Sequence, residues 1–140
     1  MSDTGSLISL LSRKLQAGYS IIRAGMLEVG LTGMDISHGD ILFHLYRSGA
    51  LTMKDLAERI KKDKSTVTAL VGKMEKRGLV ARWENKEDRR GSYVVLTDKG
   101  RGYEPAFREI SRQLRKAVSD SLTADEQREL IRLLEKLFTV

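Results

Sequence analysis

Apolar residues recur at helical spacing through most of this chain. Over about residues 6–30, Ile8, Leu11, Leu15, Ile22, Met26 and Val29 share one stripe, with Arg13, Lys14, Gln16 and Arg23 off it. That pattern predicts a long amphipathic helix. "SHGDILFHLYRSG" predicts a second helix. Ser37 stands three residues before Asp40 as in a capping box, Ile41, Leu42 and Leu45 give the buried face, and Gly49 closes it. In "LTMKDLAERI" the device recurs with Thr52 as cap and Asp55 three residues on, and Met53, Leu56, Ala57 and Ile60 fall at i, i+3, i+4, i+7. After the polar joint "KKDK", "STVTALVGKMEKRG" places Val67, Leu70, Val71 and Met74 at the same spacing, and Gly78 stands where a helix stop belongs.

Beyond Gly78 the period changes. "LVARWE" alternates, "SYVVLT" is rich in strand formers, and the polar "NKEDRRG" lies between them, which predicts a β-hairpin. Thr97 then caps a helix striped by Tyr103, Phe107, Ile110, Leu114 and Val118, with Pro105 near its start, where proline is best tolerated. A capping box at Thr123 and Glu126 opens the last helix, which carries Leu130, Leu133, Leu134 and Leu137. The expected fold is mainly α with a small β-hairpin wing (α+β), a winged helix-turn-helix flanked by long helices. The chain reads as one domain over residues 1–140, with 32–102 as the winged part and 1–31 and 103–140 as dimerisation helices. A small central module cannot cover the terminal stripes, so Ile8, Leu11, Leu15, Ile110, Leu114, Leu130, Leu133, Leu134 and Leu137 are expected to bury against a second copy.

Charge sharpens this picture. Residues 51–102 carry 14 Lys and Arg against 8 Asp and Glu, which is the whole net charge of +6; residues 1–50, four against four, and 103–140, seven against seven, are neutral. Neutral flanks around a basic centre favour a polyanion-binding module on neutral scaffolding. With 140 residues the chain can bury a core without staples, and the absence of cysteine excludes disulfides, thiol redox sensing and cysteine zinc sites. No apolar run approaches the roughly 20 residues needed to cross a bilayer. The N-terminus lacks the basic and apolar blocks of a signal peptide, so none is expected, and the lack of cysteine fits a cytoplasmic setting.

On a helical wheel of residues 64–77, Val67, Leu70, Val71 and Met74 occupy one arc. Ser65, Ala69, Gly72 and Lys76 lie opposite, with Thr66, Thr68 and Lys73 on the shoulders. A helix entering the major groove needs small residues at its centre, hydroxyls for base edges and cations for the phosphate walls. Lys54 and Lys64 extend the basic face. Arg89 and Arg90 stand where a wing tip would reach the neighbouring groove, and narrow minor grooves concentrate negative potential that guanidinium suits. Glu87 and Asp88 would oppose DNA unless one of them holds an arginine extended.

Asp88-x-Arg90, then Leu96-Thr97 after five residues and Gly100 three further on, resembles the wing signature of the MarR family of bacterial transcription regulators. "STVTALVGKMEKRGLV" is similar to that family's recognition helix and its exit, and the resemblance covers essentially the whole chain. It implies a homodimeric winged-helix regulator, in most cases a repressor, with the terminal helices forming the interface. It implies that Arg90 enters the minor groove, that Asp88 orients the wing, and that Ser65, Thr66 and Thr68 meet the major groove. It also implies a small aromatic or phenolic effector, and cysteine-based sensing is closed to this chain.

Other chemistry is thin. His38 and His44 are six apart and do not share a face, so no metal site is expected. Tyr19, Met26, Met34 and Trp83 are candidates for an effector pocket, although core packing is the commoner fate of such residues. No nucleophile–base–acid set or phosphate-cradling loop is present, so neither an enzyme nor a cofactor is expected. The leading reading is a DNA-binding regulator on double-stranded DNA, recognising a pseudo-palindrome as a homodimer. The competing reading is a winged helix that serves as a protein–protein assembly module, which would show exposed apolar anchors and fewer cations.

Overall fold

The computed structural model describes residues 4–84 and 92–139. Helix α1 (Thr4–Glu28) runs about 37 Å at 1.5 Å per residue. Only its C-terminal part enters the core, through Met26. Gly25 lets the chain come close there, since a Cβ at that position would stand 2.3 Å from Ile110 Cγ1.

Helix α2 (Ile36–Ser48) starts earlier than the sequence suggests. The cap is Asp35, not Ser37: its carboxylate accepts from the Ile36 N–H at 2.8 Å, and His38 Nδ1 accepts from the Asp35 N–H at 2.9 Å. An imidazole nitrogen with a free lone pair does the work of the usual Glu or Gln at the third position, so the box closes two residues upstream of the expected one. Gly49, at φ 79°, ends the helix as expected.

Strand β1 (Ala50–Thr52) has no counterpart in the sequence reading, because three residues show no period. Helix α3 (Met53–Ile60) opens on the expected box. Thr52 Oγ1 accepts from the Asp55 N–H at 3.0 Å, and the Asp55 carboxylate accepts from the Thr52 N–H at 3.2 Å. Lys61, in the left-handed region at φ 57°, turns the chain into α4 (Lys64–Lys76). Gly78, at φ 74°, follows, and then strands β2 (Val80–Glu84) and β3 (Ser92–Leu96). The sheet is antiparallel in the order β1-β3-β2, with Leu51 opposite Val94 and Trp83 opposite Tyr93.

The single helix expected after Thr97 is two helices, α5 (Asp98–Gly102) and α6 (Glu104–Ser121). Pro105 has no N–H to bond the Arg101 carbonyl, and Gly102 is a weak helix former, so the ladder breaks at Tyr103 and restarts. Helix α7 (Ala124–Lys136) opens on the expected Thr123–Glu126 box. The core gathers Ile41, Leu42 and Leu45 of α2, Leu56 of α3, Val67, Val71 and Met74 of α4, and Val94 of β3. Phe107 and Ile110 of α6 seal it. Ile110, expected at an interface between copies, therefore belongs to the core of its own protomer, and Leu114 is packed against that core. By contrast α7 buries no residue, and Leu130, Leu133 and Leu134 are exposed, as are Ile8 and Leu15 of α1. Leu11 and Leu137 are half-buried. Among the described residues no helix is long and apolar enough to cross a membrane.

Candidate nucleic-acid interface

Helices α3 and α4 form the helix-turn-helix, and α4 buries Val67, Val71 and Met74 as its periodicity requires. Its start is built by Asp63, a cap not singled out from the sequence. The Asp63 carboxylate accepts from the Thr66 N–H and from the Ser65 hydroxyl, both at 2.7 Å. These bonds hold the carboxyl down at about 2, so it is ionised at any working pH. The signal in the sequence is Asp63 three residues ahead of Thr66, inside what reads as a polar joint. One further donor is spoken for: the Thr68 hydroxyl donates to the Lys64 carbonyl at 2.8 Å. Ser65 and Thr68 thus turn oxygen lone pairs outward, able to accept from a base amino group in the major groove.

Ser65, Thr68 and Ala69 are exposed and Thr66 and Gly72 are half-buried. A Cβ on Gly72 would meet no described residue within 4 Å, so packing among the described residues does not explain a glycine in mid-helix. Lys54, Lys64 and Lys76 are exposed, and their ammonium groups make no hydrogen bond or ion pair with a described residue. Lys73 differs from the expectation of an outward cation, since its ammonium donates to the Gly33 carbonyl. Arg77 Nη1 likewise donates to the Thr32 carbonyl at 2.5 Å.

The wing joins this face through Arg82, whose Nε donates to Glu75 Oε1 at 2.8 Å and ties β2 to α4. Asp88, Arg89 and Arg90 lie outside the described residues. Trp83, 54% exposed, pairs across the strands with Tyr93, ring centres 5.9 Å apart.

The four side chains expected to line an effector pocket are not brought together. Trp83 is on the wing, Met26 is in the core and Met34 packs against that core. Tyr19 does line a cleft of about 330 Å³ between α1, α2 and α6, with Ile22, Asp40, Phe43, Phe107 and Leu114. Burial pushes the Asp40 carboxyl above its usual range, opposed by His44 and Lys62. A second cleft of about 320 Å³ shares Phe43, Phe107 and Ser111 and is rimmed by Arg47, Arg108 and Arg115. His44 Nε2 lies 3.4 Å from the Asp40 carboxylate on the next turn. No group of three or more His, Asp or Glu that could hold a metal occurs among the described residues.

The chain is similar to transcription regulators. Residues 29–91 match the MarR family. An uncharacterised HTH-type transcriptional regulator of Bacillus subtilis, YwhA, is 31% identical over 99 residues, 71% of each chain. A mutant form of MarR from E. coli, solved with operator DNA, superposes with a TM-score of 0.78 at 23% identity, covering 99% of this chain and 100% of that one. The organohalide-sensing regulator RdhR-CbdbA1625, solved in its 2,4-dichlorophenol-bound form, gives 0.72 at 28% identity, over 98% and 84%. In sequence, in fold and in the build of its helix-turn-helix and wing strands, the chain belongs to the MarR family of winged helix-turn-helix transcription regulators.

Proposed function

We propose that this protein binds a pseudo-palindromic operator as a homodimer and represses transcription by occupying the duplex. Residues 32–102 form the DNA-binding part, and 1–31 with 103–140 hold the two copies together. Each α4 enters a major groove, with Ser65, Thr66 and Thr68 at base edges and Lys54, Lys64 and Lys76 on phosphates. Arg89 and Arg90 reach the flanking minor groove, oriented by Asp88. The observation that carries this reading is Gly72. A half-buried mid-helix glycine costs roughly 0.5–1 kcal/mol relative to alanine, and nothing among the described residues requires it. A backbone approaching from outside would.

Support for the dimer comes from α7. A helix of 13 residues is marginal alone in water, and this one buries nothing among the described residues while exposing Leu130, Ile131, Leu133 and Leu134. The cleft beside Tyr19 and Phe43, with Asp40 on its wall, is the site we assign to a small aromatic effector. Its position between the helices of both parts would let a ligand change the angle between them. The dichlorophenol bound by RdhR-CbdbA1625 agrees with that chemistry.

Gly72→Leu tests the central reading. The side chain has room, so thermal stability should hold or rise, whereas operator binding in a fluorescence-anisotropy titration should fall by about tenfold or more. A stable Gly72→Leu protein that binds its selected operator as tightly as before would remove α4 from the groove.

A further inference from the structure

Of the three cations at the C-terminal end of α4, Lys73, Lys76 and Arg77, two are tied back to the protein. Lys73 donates to the Gly33 carbonyl and Arg77 to the Thr32 carbonyl. Both acceptors belong to the short connection between α1 and α2, immediately after the helix assigned to dimerisation. That connection is shaped to present them. Gly30 and Gly33 take left-handed backbone at φ 83° and 70°, the Leu31 N–H bonds the Met26 carbonyl at 3.0 Å, and Asp35 with His38 closes the far end. A carbonyl accepting from a cation makes a charge-assisted bond. Two of them, about one turn apart at Lys73 of α4 and at its cap Arg77, resist rotation of that helix as well as translation.

We infer that Lys73 and Arg77 are positioning residues: their bonds to Gly33 and Thr32 fix the angle of the recognition helix against the end of α1, and so set the half-site spacing the dimer accepts. The inference rests on the dimeric reading above. The lever is adequate. A 13-residue α4 is about 20 Å long, so a swing of roughly 10° moves its far end by about 3.5 Å. One base-pair step is about 3.4 Å. Losing the ties therefore need not weaken the grip of one head on one half-site; it relaxes the distance between heads.

This differs from a phosphate contact, the role that an exposed lysine on this helix would otherwise take. Removing a phosphate contact lowers affinity at every spacing and reduces the slope of log affinity against log salt by about 0.9. Removing a tie leaves the slope and changes which spacings bind.

Lys73→Met and Arg77→Met keep the aliphatic stems, and Lys73→Arg keeps the donor. Wild type, both single variants, the double variant and Lys73→Arg would be titrated against paired half-sites with spacers varied in single base pairs, across a salt series. Wild type should favour one spacing by about tenfold or more. The double variant should accept the adjacent spacings within about threefold at an unchanged slope, each single variant should fall between, and Lys73→Arg should behave as wild type. A slope reduced by about 0.9 in Lys73→Met with spacing preference intact overturns the inference for Lys73. Unchanged affinity, slope and spacing overturns it for both residues. If the double variant does not fold, the single variants decide. If wild type itself shows no preference for paired half-sites, the dimeric reading fails instead. Amide exchange of Leu31–Asp35 then decides the tie, faster exchange in the single variants supporting it and identical exchange overturning it.

Discussion

A methyl group on Gly100 would stand 2.1 Å from the carbonyl oxygen of Leu79. That closeness explains why Thr97-Asp-Lys-Gly100 ends in glycine. The Thr97 hydroxyl accepts from the Gly100 N–H at 3.0 Å and donates to the Gly78 carbonyl at 2.5 Å, and the Thr97 N–H bonds the Leu79 carbonyl at 3.1 Å. From the other side the Tyr46 hydroxyl donates to the Gly100 carbonyl at 2.6 Å. The start of α5 is thus folded onto the chain as it leaves α4, joining α2, α4 and the wing at one point.

Gly100→Ala should therefore destabilise the fold by about 1–3 kcal/mol, the usual range for overpacking, toward the upper end because a backbone oxygen cannot swing aside. Urea unfolding followed by circular dichroism measures it. A midpoint equal to wild type would mean that the two segments part without cost, and the joint would not be what holds α5 to the exit of α4.

Much of this was legible in the sequence, because most of the elements announce themselves by period and by cap. Thr52 with Asp55 and Thr123 with Glu126 mark helix starts that the hydrogen bonds reproduce. The arc of Val67, Val71 and Met74 marks the buried face of α4. What could not be read depended on partners far along the chain. Strand β1 exists because β3, which follows two helices and a strand later, offers it a ladder at Leu51 and Val94. Ile110 is core because Gly25 lets α1 approach it, and no local stripe separates such a residue from one facing a second copy. Lys73 looks like any outward lysine until the Gly33 carbonyl is placed beside it. The cap at Asp35 escapes notice because histidine is not a usual partner in a capping box.

His38 gives the molecule a pH dependence. Burial pushes its pKa below the ordinary 6.5, Lys73 and Arg77 push the same way, and only Asp35 opposes them. Its Nδ1 is the acceptor of the Asp35 N–H, so protonation would break the cap, and its Nε2 is buried with no partner among the described residues. A base whose folded pKa is lowered binds fewer protons folded than unfolded, so stability is full above about pH 6.5 and falls as pH drops toward the folded pKa, levelling below it. Asp40, raised by burial, contributes with the opposite sign at lower pH, so the useful quantity is a difference. His38→Gln can still accept at the third position and does not titrate. Between about pH 7 and 5 the wild type should lose more stability than His38→Gln in parallel thermal melts. Parallel pH profiles would show that the imidazole takes up its proton equally well folded and unfolded, and the cap would not depend on its lone pair.

The exposed leucines of α7 make a further prediction. Leu133→Glu or Leu134→Glu leaves the protomer core untouched, since neither residue is buried in it. In a dimer each would place an unpaired carboxylate in an apolar interface, twice by symmetry, at a cost of about 3 kcal/mol or more. That is an association weaker by roughly 100-fold or more. Sedimentation should show single chains at concentrations where wild type is paired, with helix content lower by no more than α7. A variant that still sediments as the wild type does would move the interface elsewhere, to α1 alone or to another face.

Arg90 offers the sharpest test of the wing. The Arg82–Glu75 pair ties β2 to α4 and the ladder joins β2 to β3, while Arg90 falls between the two strands in the sequence, outside the described residues. No core side chain is expected to depend on a wing-tip cation, so Arg90→Ala should melt like wild type. If its guanidinium reads the minor groove, the substitution should weaken operator binding by about 1–3 kcal/mol and relax preference at the positions it covers. Arg90→Lys should recover only part of that loss, because an ammonium holds its water more tightly and lacks the planar fork. The salt series adds a control: a purely electrostatic arginine would be replaced fully by lysine, with the slope unchanged. Equal affinity of wild type and Arg90→Ala at fixed salt would take the wing tip out of recognition and leave α4 to read the operator alone.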